Sequence, residues 1–125
     1  MNQFALAPAC TQVSNTARVA SANPHQLITI LFEEALDDLG RAGRAIMAGD
    51  LAAKSRHLSH AATLVAALDC SLDHEKGGEI ARSLATVYAF VRARILRAGL
   101  KNDADQCRIA AETLGEIASA WREIA

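Results

Sequence analysis

Apolar residues recur three and four positions apart along most of the chain after residue 23, a spacing that keeps them on one side of an α-helix. The pattern is most regular over residues 77–100, where Gly77 and Gly78 precede the helix and Gly99 marks its end. The stripe of this stretch consists of Ile80, Leu84, Val87, Val91, Ile95 and Ala98. A second apolar set lies beside it, Tyr88, Phe90 and Leu96. This width predicts a helix that is central to a bundle or that covers a second surface.

Two further helices are predicted before this stretch. Asn23 can cap a helix and Pro24 suits its first position, so the first helix begins there and ends at Gly49. Asp50 can cap the second helix, which we expect to continue to about Asp69. Each carries an apolar stripe, made of Ile28, Leu31, Ala35, Leu39, Ala42 and Ile46 in the first and of Leu51, Leu58, Ala61, Val65, Leu68 and Leu72 in the second.

Residues 71–78 are interpreted as a polar connection that ends in glycine, and a fourth helix is predicted to begin near Asn102 or Asp103. Its stripe consists of Cys107, Ala110, Leu114, Ile117, Trp121 and Ile124. Four amphipathic helices joined by short turns predict an all-α fold, an antiparallel up-down-up-down four-helix bundle over residues 23–125.

Residues 1–22 show no helical period and predict a mobile, flexible N-terminal arm. The alternative is that three apolar residues of the arm dock loosely on the bundle, Phe4, Leu6 and Val13.

Charge and hydropathy exclude two classes of partner. Thirteen basic and fourteen acidic residues give a net charge of −1, which offers no basic field for nucleic acid. The apolar runs are far shorter than a membrane span. A signal peptide begins with basic residues, whereas no Lys or Arg precedes Arg18 in this sequence. We therefore expect a cytoplasmic protein with no membrane insertion and no nucleic-acid partner.

The residues that could carry chemistry form no recognisable catalytic pattern. His57 and His60 share a helix face and could bind one metal ion, but two solvated histidines on a polar face are favoured. No histidine has a glutamate three residues before it, as a di-metal bundle site requires. Four acidic residues form a cluster typical of a solvated helix surface, Glu33, Glu34, Asp37 and Asp38. We expect no catalytic residue, no cofactor and no metal, and a hydrolase or metal enzyme is the weakest hypothesis.

Each helix also has apolar residues outside its stripe. The set comprises Leu27, Ile30, Phe32, Leu64, Tyr88, Phe90, Leu96 and Ile109. Either these residues widen the core, or several of them form an exposed patch that a partner helix or the chain's own arm covers. On the second reading, the predicted partner-binding groove consists of Ile30, Leu64, Tyr88, Phe90 and Ile109.

Several motifs resemble a known family. The first is Val19-x-Ser21-Ala22-Asn23-Pro24-x-x-Leu27-Ile28, followed by Leu31-Phe32-Glu33. The central one is Gly77-Gly78-Glu79-Ile80-Ala81-x-x-Leu84-x-x-Val87-Tyr88-x-Phe90, and Ala120-Trp121 lies at the expected later position. Their order and spacing over residues 19–125 resemble the flagellar export chaperones that bind flagellin, the FliS family. The chain departs from the family pattern at Ser14, Glu34 and Ser83, where a tyrosine, a glycine and an asparagine are frequent.

The resemblance implies a helical bundle that binds the disordered C-terminal segment of flagellin and prevents its premature polymerisation before type III secretion. It also implies that the arm covers part of the groove when the partner is absent. The alternative function is a helical-bundle adaptor for a different secreted or regulatory helical protein. Two further partners are left open, namely components of the flagellar export apparatus and a second copy of the chain in a weak homodimer.

Overall fold

The computed structural model of the protein describes residues 23–124, which form four α-helices. Their bounds are Pro24–Ala48 for α1, Leu51–Cys70 for α2, His74–Lys101 for α3 and Ala104–Glu123 for α4. The connections are so short that successive helices run antiparallel. α1 packs on α2 and α4, and α3 packs on the same two helices. This arrangement confirms the predicted up-down-up-down bundle, whereas the predicted arm and its docking residues Phe4, Leu6 and Val13 lie outside the described residues.

A short polar side chain caps the start of every helix. The Asn23 side chain accepts hydrogen bonds from the backbone N–H groups of His25 at 2.8 Å and Gln26 at 3.3 Å. The other three caps are aspartates, Asp50, Asp73 and Asp103. Each satisfies a backbone donor that has no partner within its own helix. The caps at 23, 50 and 103 confirm the predicted helix starts.

The predicted connection over residues 71–78 is too long, because residues 74–78 belong to α3. α3 begins at His74, because Asp73 caps it through the N–H of Lys76 at 3.0 Å. The helix is then kinked at Gly78, whose φ of 48° and ψ of −119° are not helical. A residue with a side chain rarely adopts this left-handed backbone, so the glycine permits the kink.

Three residues of the predicted stripes are exposed instead of buried. Ile80 is 72 % exposed and follows the kink, and Ala81 takes the inward position in its place. Leu51 and Ile124 are also exposed. They lie in the first turn of α2 and just after α4, where the neighbouring helices no longer cover a side chain.

The core lies on the bundle axis and receives side chains from all four helices. Its largest fully buried members are Leu31, Leu39, Leu64, Leu68, Leu114, Val65 and Val91. Alanines with no exposed surface lie between them, Ala35, Ala42, Ala61, Ala98 and Ala110. Because the side chain of alanine is a single methyl group, helices that pack on these alanines can approach one another closely. Leucines from the facing helix fill the remaining space.

Asp38 is buried although the sequence predicted a solvated cluster at this point. Its Oδ1 accepts a hydrogen bond from Nδ1 of His57 at 2.9 Å, and its Oδ2 is bonded to Nδ1 of His60. Both imidazoles therefore donate from Nδ1, because an ionised carboxylate only accepts. The expectation of two solvated histidines is wrong for His57, which is half-buried, whereas His60 is exposed; both nevertheless join α2 to α1. Residues 23–124 contain no group of three or more His, Cys, Asp or Glu that could hold a metal ion.

We expect Asp38→Ala to lower the free energy of unfolding by about 2 kcal/mol, because it leaves two imidazole donors without their acceptor. Urea denaturation followed by circular dichroism measures this. Asp37→Ala is the matched control, since Asp37 is exposed on the same helix and the gain in helix propensity is the same. Equal unfolding midpoints for the two variants would show that the Asp38 contacts contribute no stability.

Two helical glycines should respond oppositely to alanine. A Cβ at Gly77 would lie 2.9 Å from the Cβ of Ala81, whereas one at Gly43 would lie 3.7 Å from the Cβ of Cys107. Gly77→Ala should therefore destabilise by about 1–3 kcal/mol through overpacking, despite its better helix propensity. Gly43→Ala should stabilise by about 0.5–1 kcal/mol. The same denaturation experiment tests both, and a stabilised Gly77→Ala protein would contradict the close approach.

Candidate functional site

An apolar pocket of about 290 Å³ opens where the start of α1 meets the start of α3 and the end of α4. The connection between α2 and α3 borders it as well. The lining residues are Ile28, Phe32, Ser71, Leu72, Asp73, Gly77, Ile80, Ala81, Leu84, Tyr88, Ile117 and Trp121. We call this the α1–α3–α4 pocket. Most of its wall is hydrocarbon or aromatic ring, and Asp73 is its one acidic lining residue, so it is suited to bind an apolar segment.

The kink at the start of α3 shapes one wall of this pocket. Gly77 lines it and packs so closely on Ala81 that a side chain would not fit without a shift. Gly78 turns the chain immediately afterwards. Ile80 thus lines the pocket while 72 % of it stays exposed. A large apolar side chain that is exposed to solvent at the edge of a pocket is available for contact with a partner.

Trp121 on the opposite wall is held in place by four interactions. Its ring stacks on the ring of His25, with centroids 4.5 Å apart and an interplanar angle of 9°. Its Nε1 donates to the carbonyl oxygen of His25 and to Oγ1 of Thr29, both at 3.2 Å. Nε2 of His25 donates in return to the carbonyl oxygen of Trp121 at 2.9 Å. These contacts fix the last turn of α4 against the first turn of α1, so this wall is preformed.

Tyr88 forms part of the inner wall and is 3 % exposed. Burial raises the pKa of its phenol to about 12, and the nearby charge of Asp69 adds to the effect. The phenol therefore stays neutral at physiological pH. No charge develops in the pocket from this residue.

A groove of larger volume, about 580 Å³, lies between the second half of α1 and the first half of α4. Its lining includes Leu39, Gly40, Gly43, Arg44, Met47, Ala48, Ala104, Cys107, Arg108 and Ala111. Met47 is 81 % exposed at its rim. Cys107 is a free, buried thiol whose pKa is raised by burial and, to a smaller extent, by Asp103. A thiol held protonated in this way is a poor nucleophile.

The structure separates the five residues predicted for a partner-binding groove. Leu64 has no exposed surface and belongs to the core, and Tyr88 lines the α1–α3–α4 pocket. Phe90 is 43 % exposed, with the guanidinium carbon of Arg94 5.2 Å from the centre of its ring. Ile30 and Ile109 are half-buried. Of the five, only Tyr88 lines this pocket, and a role in binding stays a prediction for all of them.

Sequence reasoning missed Ile80, Leu84 and Ile117 as pocket residues because it assigned them to the stripes that face the core. The adjacent glycines before Ile80 were the available signal, since a kink there removes that residue from the inward face. The phase of a helix after a kink does not follow from periodicity alone.

No helix of the described part of the chain is long and apolar enough to cross a membrane.

Comparison with known proteins identifies the family. A family model described as "Flagellar protein FliS" matches residues 6–125. The flagellar secretion chaperone FliS of Salmonella typhimurium is 43 % identical over 117 residues, which cover 93 % of this chain and 87 % of that protein. The flagellar secretion chaperone FliSB of Pseudomonas aeruginosa is 34 % identical over 110 residues, 88 % of this chain and 87 % of that protein. FliS of Escherichia coli is 32 % identical over 116 residues, 92 % of this chain and 85 % of that protein. The chain therefore belongs to the FliS family of flagellar proteins.

Proposed function

We propose that the protein is a flagellar secretion chaperone whose client is flagellin, and that the α1–α3–α4 pocket receives part of the client's C-terminal segment. One observation carries the proposal. Residues from three separate family-like motifs, far apart in sequence, line this one apolar pocket. Examples are Phe32 from the first motif, Leu84 from the central motif and Trp121 from the last. Residues that are dispersed in sequence must come together in one place if they share a binding function, and these residues meet in one pocket.

The pocket suits a segment that folds as it binds. A disordered segment loses conformational entropy when it is ordered, so its binding site must offset that cost by burying apolar surface. The pocket supplies aromatic and aliphatic walls, one of them preformed by the stack of Trp121 on His25. An amphipathic helix is the natural occupant of such a surface, because its apolar residues recur on one face.

The length of the α1–α4 seam allows a longer segment to bind. The pocket lies at one end of the seam and the groove beside Met47 lies at the other. Residues 32 and 47 of α1 are separated by about 20 Å at the rise of an α-helix. A client with two apolar stretches could therefore contact both ends of the seam at once.

Binding of this segment would reduce the polymerisation of flagellin by mass action. Flagellin held by the chaperone is removed from the pool that can polymerise, in proportion to the occupancy of the site. The chaperone must meet its client before export, so we place its action in the cytoplasm. The proposal requires no cofactor and no catalytic residue, since burial of apolar surface supplies the free energy of binding.

The test replaces one exposed side chain at the pocket. Ile80→Asp should weaken binding of the flagellin C-terminal segment about tenfold or more, because a carboxylate then faces an apolar client. Isothermal titration calorimetry with a peptide of that segment measures the affinity. Leu100→Asp is the matched control, since both residues are 72 % exposed on α3 but Leu100 lies outside the pocket.

Each result has a distinct meaning. Circular dichroism should show both variants as helical as the wild type, because neither residue is in the core. Equal weakening by the two substitutions would place the client elsewhere on the bundle. A folded wild-type protein that does not bind the peptide would favour the adaptor function instead.

A further inference from the structure

A third apolar groove, of about 380 Å³, lies between α2 and α3. Its lining residues are Lys54, Ser55, Leu58, Ser59 and Ala62 from α2 and Arg92, Ile95, Leu96, Gly99 and Leu100 from α3. It shares none of them with the α1–α3–α4 pocket or with the groove beside Met47. This α2–α3 groove is therefore a separate surface.

The floor and rim of the α2–α3 groove are both apolar. Leu58 and Ile95 are buried beneath it, whereas Leu96 is 63 % and Leu100 is 72 % exposed at the rim. Gly99 leaves the floor open, since a Cβ there would come within 3.4 Å of Cδ1 of Leu58. Exposed leucines around an open floor form the kind of surface that a partner helix covers.

All charged side chains on the part of α3 that lines this groove are positively charged. The sequence has no acidic residue between Glu79 and Asp103, but it has five basic residues there, Arg82, Arg92, Arg94, Arg97 and Lys101. Within residues 23–124, Arg82 pairs with Glu79, and Arg92 reaches Oδ2 of Asp69 only at 3.9 Å. The other three have no carboxylate within ion-pair distance in this part of the chain.

Lys54 adds a positive charge at the α2 side of the same groove. Its ammonium donates to the carbonyl oxygen of Gly99 at 3.2 Å and to Oδ1 of Asn102 at 2.6 Å. Neither acceptor carries a net charge, so the charge of Lys54 is not neutralised there. The groove beside Met47 differs, because its Arg108 is bonded to the carboxylates of Asp105 and Glu112 at 2.7 Å.

We propose that the α2–α3 groove binds an acidic amphipathic helix of a second protein partner, separately from the client. The α3 lining from Arg92 to Leu100 extends over about 12 Å, or roughly two helical turns. A helix with apolar residues at positions i, i+3, i+4 and i+7 would cover the leucines over that length. Aspartate or glutamate on its flanks would face Lys54 and Arg92.

The acidic surface of α1 in a second copy of the chain is a poorer fit to this groove. Its exposed acidic side chains on α1 are Glu33, Glu34 and Asp37. The exposed large apolar side chain of α1 is that of Met47, which lies near the end of the helix and away from these acidic residues. Charge alone, without apolar contact, gives weak and salt-sensitive association.

The probe for this proposal is a fluorescein-labelled peptide of about three heptads, with leucine on one helical face and glutamate elsewhere. A peptide with lysine in place of every glutamate is its control. Fluorescence anisotropy with the 125-residue chain should show binding of the acidic peptide only, with an affinity that falls as salt is raised. Leu100→Asp should weaken binding about tenfold or more, because it puts a like charge into the apolar rim. Arg92→Glu should also weaken it, whereas Ile80→Asp should leave it unchanged.

Three outcomes would overturn the proposal. Equal binding of the lysine peptide would show that charge plays no part in recognition. Equal weakening by Ile80→Asp and Leu100→Asp would show that the groove is not a separate site. Dimerisation in sedimentation experiments that Leu100→Asp abolishes would assign the groove to a second copy. Failure of flagellin binding leaves this proposal intact, because the acidic peptide and the client peptide are measured independently.

Discussion

Close packing of alanine-rich helices is the constraint on which the rest of the structure depends. Fully buried alanines such as Ala35, Ala61 and Ala110 let the helices approach, and leucines complete the core. A core made this way is narrow, so it cannot accept every apolar side chain that the helices carry. Part of the surplus lies in the seams between helices, and each of the three grooves described above lies along such a seam.

The seams differ because different local features shape them. The kink at Gly78 and the stacked pair of His25 and Trp121 define a pocket with one exposed isoleucine and a preformed wall. Between α2 and α3, Gly99 keeps the floor open and the basic residues of α3 set the charge. A net charge of −1 for the whole chain conceals this local asymmetry. Two binding surfaces of different chemistry would allow a chaperone to hold a client and a second partner together.

The polar contacts inside the bundle position α1 relative to its neighbours. Asp38 joins α1 to α2 through two imidazoles, and Trp121 joins the start of α1 to the end of α4. A buried carboxylate without both donors would be costly, which disfavours a bundle with α2 shifted along α1. The position of α1 at the α1–α3–α4 pocket thus depends on His57 and His60 of α2, although no residue of α2 lines that pocket.

Local signals in the sequence were sufficient for most of the fold. Asn23, Asp50 and Gly49 set helix ends through bonds to backbone a few residues away, so the bounds of α1 and the start of α2 followed from the sequence alone, whereas the start of α3 did not. The tertiary structure alone decided that Leu64 is core, that Asp38 is buried and that Ile80 is exposed. Burial of a side chain depends on which helix faces it and at what height, and a kink changes that relation. Periodicity determines which residues share a face, but only packing determines what covers that face.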